Sequence, residues 1–136
     1  MSGVTEGAKM PRILVVEDDE PLRSVLRQIL ERTGHEVAEA ADGRAAMEIQ
    51  RQKGADLVIT DIIMPEVDGI ETIMVLRREF PSVKIIAISG GSRVGPREFL
   101  NLARVLGAHR TLHKPFALQE MLDAVDELLG EGGASG

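Results

Sequence analysis

Leu57-Val58-Ile59-Thr60-Asp61-Ile62-Ile63-Met64-Pro65-Glu66-Val67-Asp68-Gly69-Ile70-Glu71 begins as an apolar, β-branched run, meets a single carboxylate, and breaks into a Pro/Asp/Gly loop. The pattern predicts a buried strand with Asp61 at its carboxyl end. In open α/β sheets ligands bind beyond that end of the strands, which would place the acid for chemistry. A loop aspartate capping the next turn fits this stretch equally well. The rest of the chain must decide between the two.

Outward from this stretch, the same strand-then-helix order recurs. Ile13-Leu14-Val15-Val16 reads as a first strand, followed by the acidic turn Glu17-Asp18-Asp19-Glu20 and a helix with Leu22, Val25, Leu26, Ile29 and Leu30 on one face before Gly34. Residues 36–40 are a weaker second strand, and Asp42-Gly43 opens a second helix that closes at Gly54. The third strand is expected over 56–60, and Asp68 can cap a helix carrying Ile70, Ile73, Met74 and Arg77 until Pro81 stops it. Residues 84–89 make a fourth strand, and Gly90 to Gly95 a glycine-rich loop. A fourth helix then starts at Pro96 and ends at Gly107. A fifth strand over 108–113 turns through Lys114-Pro115-Phe116 into a last helix with the apolar stripe Met121, Leu122, Val125, Leu128 and Leu129. Five strands alternating with five helices imply a parallel sheet covered on both faces. Residues 1–10 read as a flexible extension, 11–129 as the domain, and 130–136 as a flexible tail.

Composition narrows the function. With 136 residues and 43% hydrophobic content, the chain has enough apolar material for one domain core. A net charge of −6 argues against a nucleic-acid-binding surface and towards protein or cation partners. The absence of cysteine removes disulfides and thiolate metal sites, and no apolar run reads as a signal peptide or a membrane span, so a cytoplasmic protein is expected. Three Phe without Trp or Tyr leave few flat surfaces for stacking a flavin or a base.

On the predicted sheet, Glu17, Asp18 and Asp19 follow strand 1, Asp61 follows strand 3, Ser89 ends strand 4 and Lys114 ends strand 5. All share one edge. Clustered carboxylates repel, so they are tolerable only with a cation among them, and oxygen-only ligands select a hard ion such as Mg²⁺. A cation, a carboxylate nucleophile, a hydroxyl donor and a lysine are the parts of a phosphoryl-transfer site.

Across residues 11–129 the chain resembles the receiver domain of bacterial two-component response regulators, and within that family the single-domain chemotaxis type. The resemblance rests on Leu14-Val15-Val16-Glu17-Asp18, Thr60-Asp61-Ile62-Ile63-Met64-Pro65-Glu66-Val67-Asp68-Gly69, Ser89-Gly90 and Lys114-Pro115-Phe116, in that order. It implies the flavodoxin-like (βα)5 doubly wound parallel sheet with strand order 2-1-3-4-5. Asp61 would be the phosphoacceptor. Glu17, Asp18, Asp61 and the backbone carbonyl of Ile63 would hold Mg²⁺ or Mn²⁺. Ser89 would bond a phosphoryl oxygen on activation, Lys114 would pair with that group or with Asp61, and the Lys114-Pro115 peptide would be cis. Ser89 and Thr111 occupy the switch positions.

Plainer readings stand beside these. Glu17 and Asp18 fit a solvated turn before a helix, Asp19 reads as a helix cap, and Lys114 fits a surface lysine. The Ser89-Gly90-Gly91-Ser92 glycines follow strand 4 and read as a turn, and His35, His109 and His113 lack ligand spacing. The chain departs from the family pattern at Thr111, where an aromatic is usual, and in the extra residues between Ser89 and Lys114.

The implied function is a signalling switch rather than an enzyme acting on other substrates. A phosphohistidine of a sensor histidine kinase, or of a phosphotransfer protein, would donate to Asp61. The change would reach a protein partner through the face of the fourth helix, fifth strand and fifth helix, or the phosphate would be relayed. The same reading gives a monomer or weak homodimer without nucleic-acid or membrane contact. It fits a stand-alone receiver, a relay intermediate or a receiver cut from a longer regulator. A Mg²⁺-dependent phosphohydrolase would need a second acid where Ile63 stands, and a flavin carrier would be repelled by the acidic strand-1 turn.

Overall fold

The structure, a computed structural model, describes residues 11–62, 69–89, 104 and 107–130. The expectations for the extension 1–10, the Ile63 carbonyl, the Asp68 cap, the Gly90–Gly95 loop, most of the fourth helix and the tail beyond Gly130 lie outside those residues.

Short β-branched runs become strands and the amphipathic stretches between them become helices. In order these are β1 (Arg12–Val16), α1 (Glu20–Arg32), β2 (Glu36–Ala40), α2 (Gly43–Gln52), β3 (Leu57–Asp61), α3 (Gly69–Glu79), β4 (Lys84–Ser89), β5 (Arg110–His113) and a C-terminal helix (Leu118–Val125) that widens into a last turn over Asp126–Gly130. The strands form one parallel sheet in the order β2-β1-β3-β4-β5. This is the flavodoxin-like arrangement expected from the sequence.

Central strands are apolar on both faces because both faces are covered. Ile13, Val15, Leu57, Ile59, Ile86 and Ile88 pack with Leu26 and Leu30 of α1 and with Met121 and Val125 of the C-terminal helix. On the other face, Leu14, Val16, Val58, Ile85 and Ala87 meet Ala46 and Met47 of α2 and Ile73 and Leu76 of α3. Each buried Val, Leu, Ile or Met side chain among them contributes roughly 1.5–3 kcal/mol by leaving water, which holds the strand ends in register.

Helix starts follow cap chemistry. Asp19 accepts from the Leu22 N–H at 3.2 Å, with Pro21 in the first turn, and Asp42 accepts from the Ala45 N–H at 2.8 Å. Two strand limits differ from the expected ones for a shared reason. β3 starts at Leu57 rather than 56, because the Asp56 carboxylate takes the Arg12 N–H at 2.9 Å. β5 starts at Arg110 rather than 108, because Nδ1 of His109 accepts the Ile85 N–H at 3.1 Å. In both places a side chain replaces a ladder carbonyl. β3 also reaches one residue further than expected, pairing Asp61 with Ile88.

Candidate functional site

Parallel strands end together, so the residues that follow β1, β3, β4 and β5 meet at one edge of the sheet. Asp61 is the last residue of β3 and is buried, 5% exposed. Glu17 follows β1 directly and is also buried, while Asp18 beside it is exposed. Glu17, Asp18 and Asp61 each offer an oxygen, and these oxygens lie within 4.8 Å of one another. An octahedral oxygen shell at ~2.1 Å places opposite ligands about 4 Å apart, so the cluster, with its oxygens within 4.8 Å, approaches the span of a single hard cation. The three histidines do not join it. His35 is bound to the Leu30 carbonyl and to Thr33, His109 to Ile85, and His113 lies exposed on β5.

Lys114 answers the acidic charge. Its Nζ donates to Asp61 Oδ2 at 2.9 Å and stands 3.2 Å from Glu17 Oε1, an ion-pair distance without the direction of a hydrogen bond. The lysine is placed from the backbone up: its N–H donates to the Ser89 carbonyl at 2.7 Å, which fastens the end of β5 to the end of β4. The peptide between Lys114 and Pro115 is cis.

These contacts set protonation. Burial, followed by the neighbouring Asp61 charge, pushes Glu17 up to about 7, although the Asp19 N–H on its Oε2 at 3.1 Å and Lys114 oppose the rise. Burial alone would lower Lys114, but the hydrogen bond to Asp61 and the charges of Asp61 and Glu17 outweigh it and hold the ammonium above its ordinary value. The lysine therefore remains a cation.

Ser89 closes β4 and is fully buried, and its hydroxyl has no hydrogen-bond partner among the described residues. An unpaired buried hydroxyl costs ~1–3 kcal/mol, so its retention at the same sheet edge as the acidic cluster calls for a functional explanation. Thr111 is half-buried on β5, paired in register with Ala87.

Residues 13–126 match the response regulator receiver domain family. The chain belongs to that family. Among receiver relatives, it is 33% identical over 120 residues to the response regulator receiver protein CpdR of Brucella abortus, covering 88% of this chain and 98% of CpdR. It is 36% identical over 118 residues to the response regulator MprA of Mycolicibacterium vanbaalenii, covering 87% of this chain but 50% of MprA. The receiver domain thus spans about half of some relatives and nearly all of others. A CheY-like receiver structure from Methanospirillum hungatei superposes with a TM-score of 0.84 at 27% identity, covering 94% of this chain and all of that one. Receiver domains are the signalling-switch modules of two-component systems, and this chain is one of them.

One contact behind the site escaped the sequence reading. Arg23, in the first turn of α1, donates from Nη1 to the Glu17 carbonyl at 2.7 Å. Its only sequence signal is its place one helical turn after the Asp19 cap.

Proposed function

We propose that this receiver accepts a phosphoryl group on Asp61 from the phosphohistidine of a sensor histidine kinase or phosphotransfer protein. The observation that carries the proposal is the convergence of Glu17, Asp18, Asp61 and Lys114 from three strand ends, with the Ser89 hydroxyl, unpaired among the described residues, at the end of the adjoining strand β4. A carboxylate oxygen of Asp61 attacks phosphorus, a P–O bond forms as the P–N bond breaks, and the electron pair leaves with the imidazole nitrogen of the donor.

Glu17, Asp18 and Asp61, with the Ile63 carbonyl, would hold Mg²⁺ or Mn²⁺, whose contribution when bound is to neutralise charge on the phosphoryl oxygens. Lys114 starts as the partner of Asp61 and moves its hydrogen bond to the added phosphoryl group. The buried Ser89 hydroxyl then gains an acceptor. Both changes pull on the ends of β4 and β5, which the Lys114 N–H joins to the Ser89 carbonyl. The phosphorylated state is thereby favoured in a pre-existing equilibrium.

With Thr111 in the switch position, the movement proceeds without an aromatic side chain. The output passes to a protein partner through the face built from the fourth helix, β5 and the C-terminal helix, or the phosphate moves on in a relay. Direct contact with nucleic acid or membrane plays no part, and the acting form is a cytoplasmic monomer or weak homodimer. The domain comprises residues 11–129, with 1–10 and 130–136 outside it.

The test is incubation with acetyl phosphate and Mg²⁺ followed by intact mass spectrometry. The wild type should gain one phosphoryl group and Asp61→Asn none. An equal yield in Asp61→Asn would overturn the assignment.

A further inference from the structure

Glu17 is held in the acidic cluster through both its backbone and its side chain. Its N–H donates to the Ala40 carbonyl at 3.0 Å, which ties it to the end of β2. Its Oε2 accepts from the Asp19 N–H, and its Oε1 faces Lys114. Its carbonyl, beyond the last ladder bond of β1, is taken by Arg23.

Arg23 is itself anchored on two sides. Its N–H bonds to the Asp19 carbonyl at 2.9 Å within α1, and its Nε donates to Glu39 Oε1 at 3.1 Å on the edge strand. The side chain is largely buried, 16% exposed. Arg27, one turn further along α1, stands 2.7 Å from Glu39 Oε2 but makes no contact with Glu17 in this network. The two arginines thus share one carboxylate, and only Arg23 extends to the acidic turn.

Glu17, Asp18 and Asp61 repel one another when no cation lies between them, and outward displacement of the turn carrying Glu17 and Asp18 would relieve that repulsion. A guanidinium hydrogen bond to the Glu17 carbonyl opposes that movement, because a charge-assisted bond is about twice as strong as a neutral one. Glu39 and Glu31, the latter 3.5 Å from Arg27, together balance the two arginines, so Arg23 provides this hold with little net positive charge to repel an incoming cation.

We propose that Arg23 is a positioning residue for the divalent cation, holding the Glu17 turn in its ligating geometry from behind through the Glu17 carbonyl. This rests on the metal-dependent phosphoacceptor reading given above. It assigns Arg23 an effect on cation affinity rather than on the transfer step.

The test is a Mg²⁺ titration of the full, unphosphorylated chain by NMR, paired with phosphorylation by acetyl phosphate at varied Mg²⁺. Partners behind metal ligands typically alter affinity by ~10–100-fold. Arg23→Ala should raise the Mg²⁺ dissociation constant about tenfold and shift the half-saturating Mg²⁺ for phosphorylation equally, with the plateau rate retained. Arg23→Lys, able to replace one of the two bonds, should fall between. Arg27→Ala, which loosens Glu39 without touching Glu17, should bind Mg²⁺ within about twofold of the wild type.

An unchanged dissociation constant in Arg23→Ala, a loss as large in Arg27→Ala, or a fallen plateau with unchanged half-saturation would each overturn the proposal. Should Arg23→Ala fail to fold, Arg23→Lys and Arg27→Ala carry the comparison, and equal affinities in the two would overturn it. A wild type that shows no Mg²⁺ response would instead overturn the metal reading on which the proposal stands.

Discussion

Replacing Lys114 with methionine removes the ammonium that faces both buried carboxylates while keeping most of the side-chain volume. At an effective dielectric near 20, attraction to Asp61 at 2.9 Å and to Glu17 at 3.2 Å amounts to roughly 5–6 kcal/mol each before solvation is considered. Returning the ammonium to water recovers most of this, and the lysine side chain is already 28% exposed. What remains is the mutual repulsion of Glu17 and Asp61. A net loss of about 2–3 kcal/mol at about pH 8 is expected, below the ~3–5 kcal/mol typical of a fully buried broken pair. For a domain of this size that lowers Tm by roughly 8 °C. At about pH 5.5 Glu17 is protonated, since its value lies at about 7, so the repulsion disappears and the loss should fall by about half. Saturating Mg²⁺ should restore part of the Tm at about pH 8 by binding the folded state. The assay is thermal unfolding of wild type and Lys114→Met at both pH values. An equal loss at the two pH values, or none at about pH 8, would refute the electrostatic account.

Further outcomes follow from the same contacts. Because the fold raises Glu17 from its ordinary 4.5 to about 7, it holds that proton more tightly than the unfolded chain does. The stabilisation is complete below about 4.5 and is lost as pH rises through about 7, so metal-free stability should decline across that window and the decline should flatten in Glu17→Gln, as read by chemical denaturation. Gly107 sits at φ +124°, and a Cβ there would come within 2.6 Å of the Arg77 side chain, whose guanidinium binds the Pro81 and Val83 carbonyls. Gly107→Ala should therefore cost about 1–3 kcal/mol in urea unfolding without changing the phosphoryl yield at permissive temperature. Ile63 offers no hydrogen bond to a water approaching phosphorus, so Ile63→Asn should shorten the lifetime of the phosphorylated form at fixed Mg²⁺ and pH. A decay rate equal to or slower than the wild type would reject that.

The strand-helix alternation was legible because buried parallel strands are short β-branched runs and their covering helices carry one apolar stripe, as in α1 and the C-terminal helix. The shared edge followed from topology, which is why Glu17, Asp18, Asp61, Ser89 and Lys114 were expected together before any distance was known. Strand limits were less legible: Asp56 and His109 end the ladders with side-chain bonds, and no local pattern announces a bond to a residue 44 or 24 positions away. The raised value of Glu17 was invisible for a related reason, since it depends on burial and on a neighbour from another strand. Arg23 and Arg77 resemble ordinary surface arginines in sequence. Only the packed structure turns them onto the carbonyls of Glu17, Pro81 and Val83.

Whether Asp61, rather than Asp18 or another acid of the cluster, carries the phosphoryl group can be read out chemically. Borohydride reduction of the phosphorylated chain converts an acyl phosphate to the corresponding alcohol, and peptide sequencing by mass spectrometry then locates the altered residue. Homoserine is expected at position 61 alone, dependent on Mg²⁺ during phosphorylation. Reduction product at Asp18 or elsewhere, with Asp61 intact, would contradict it.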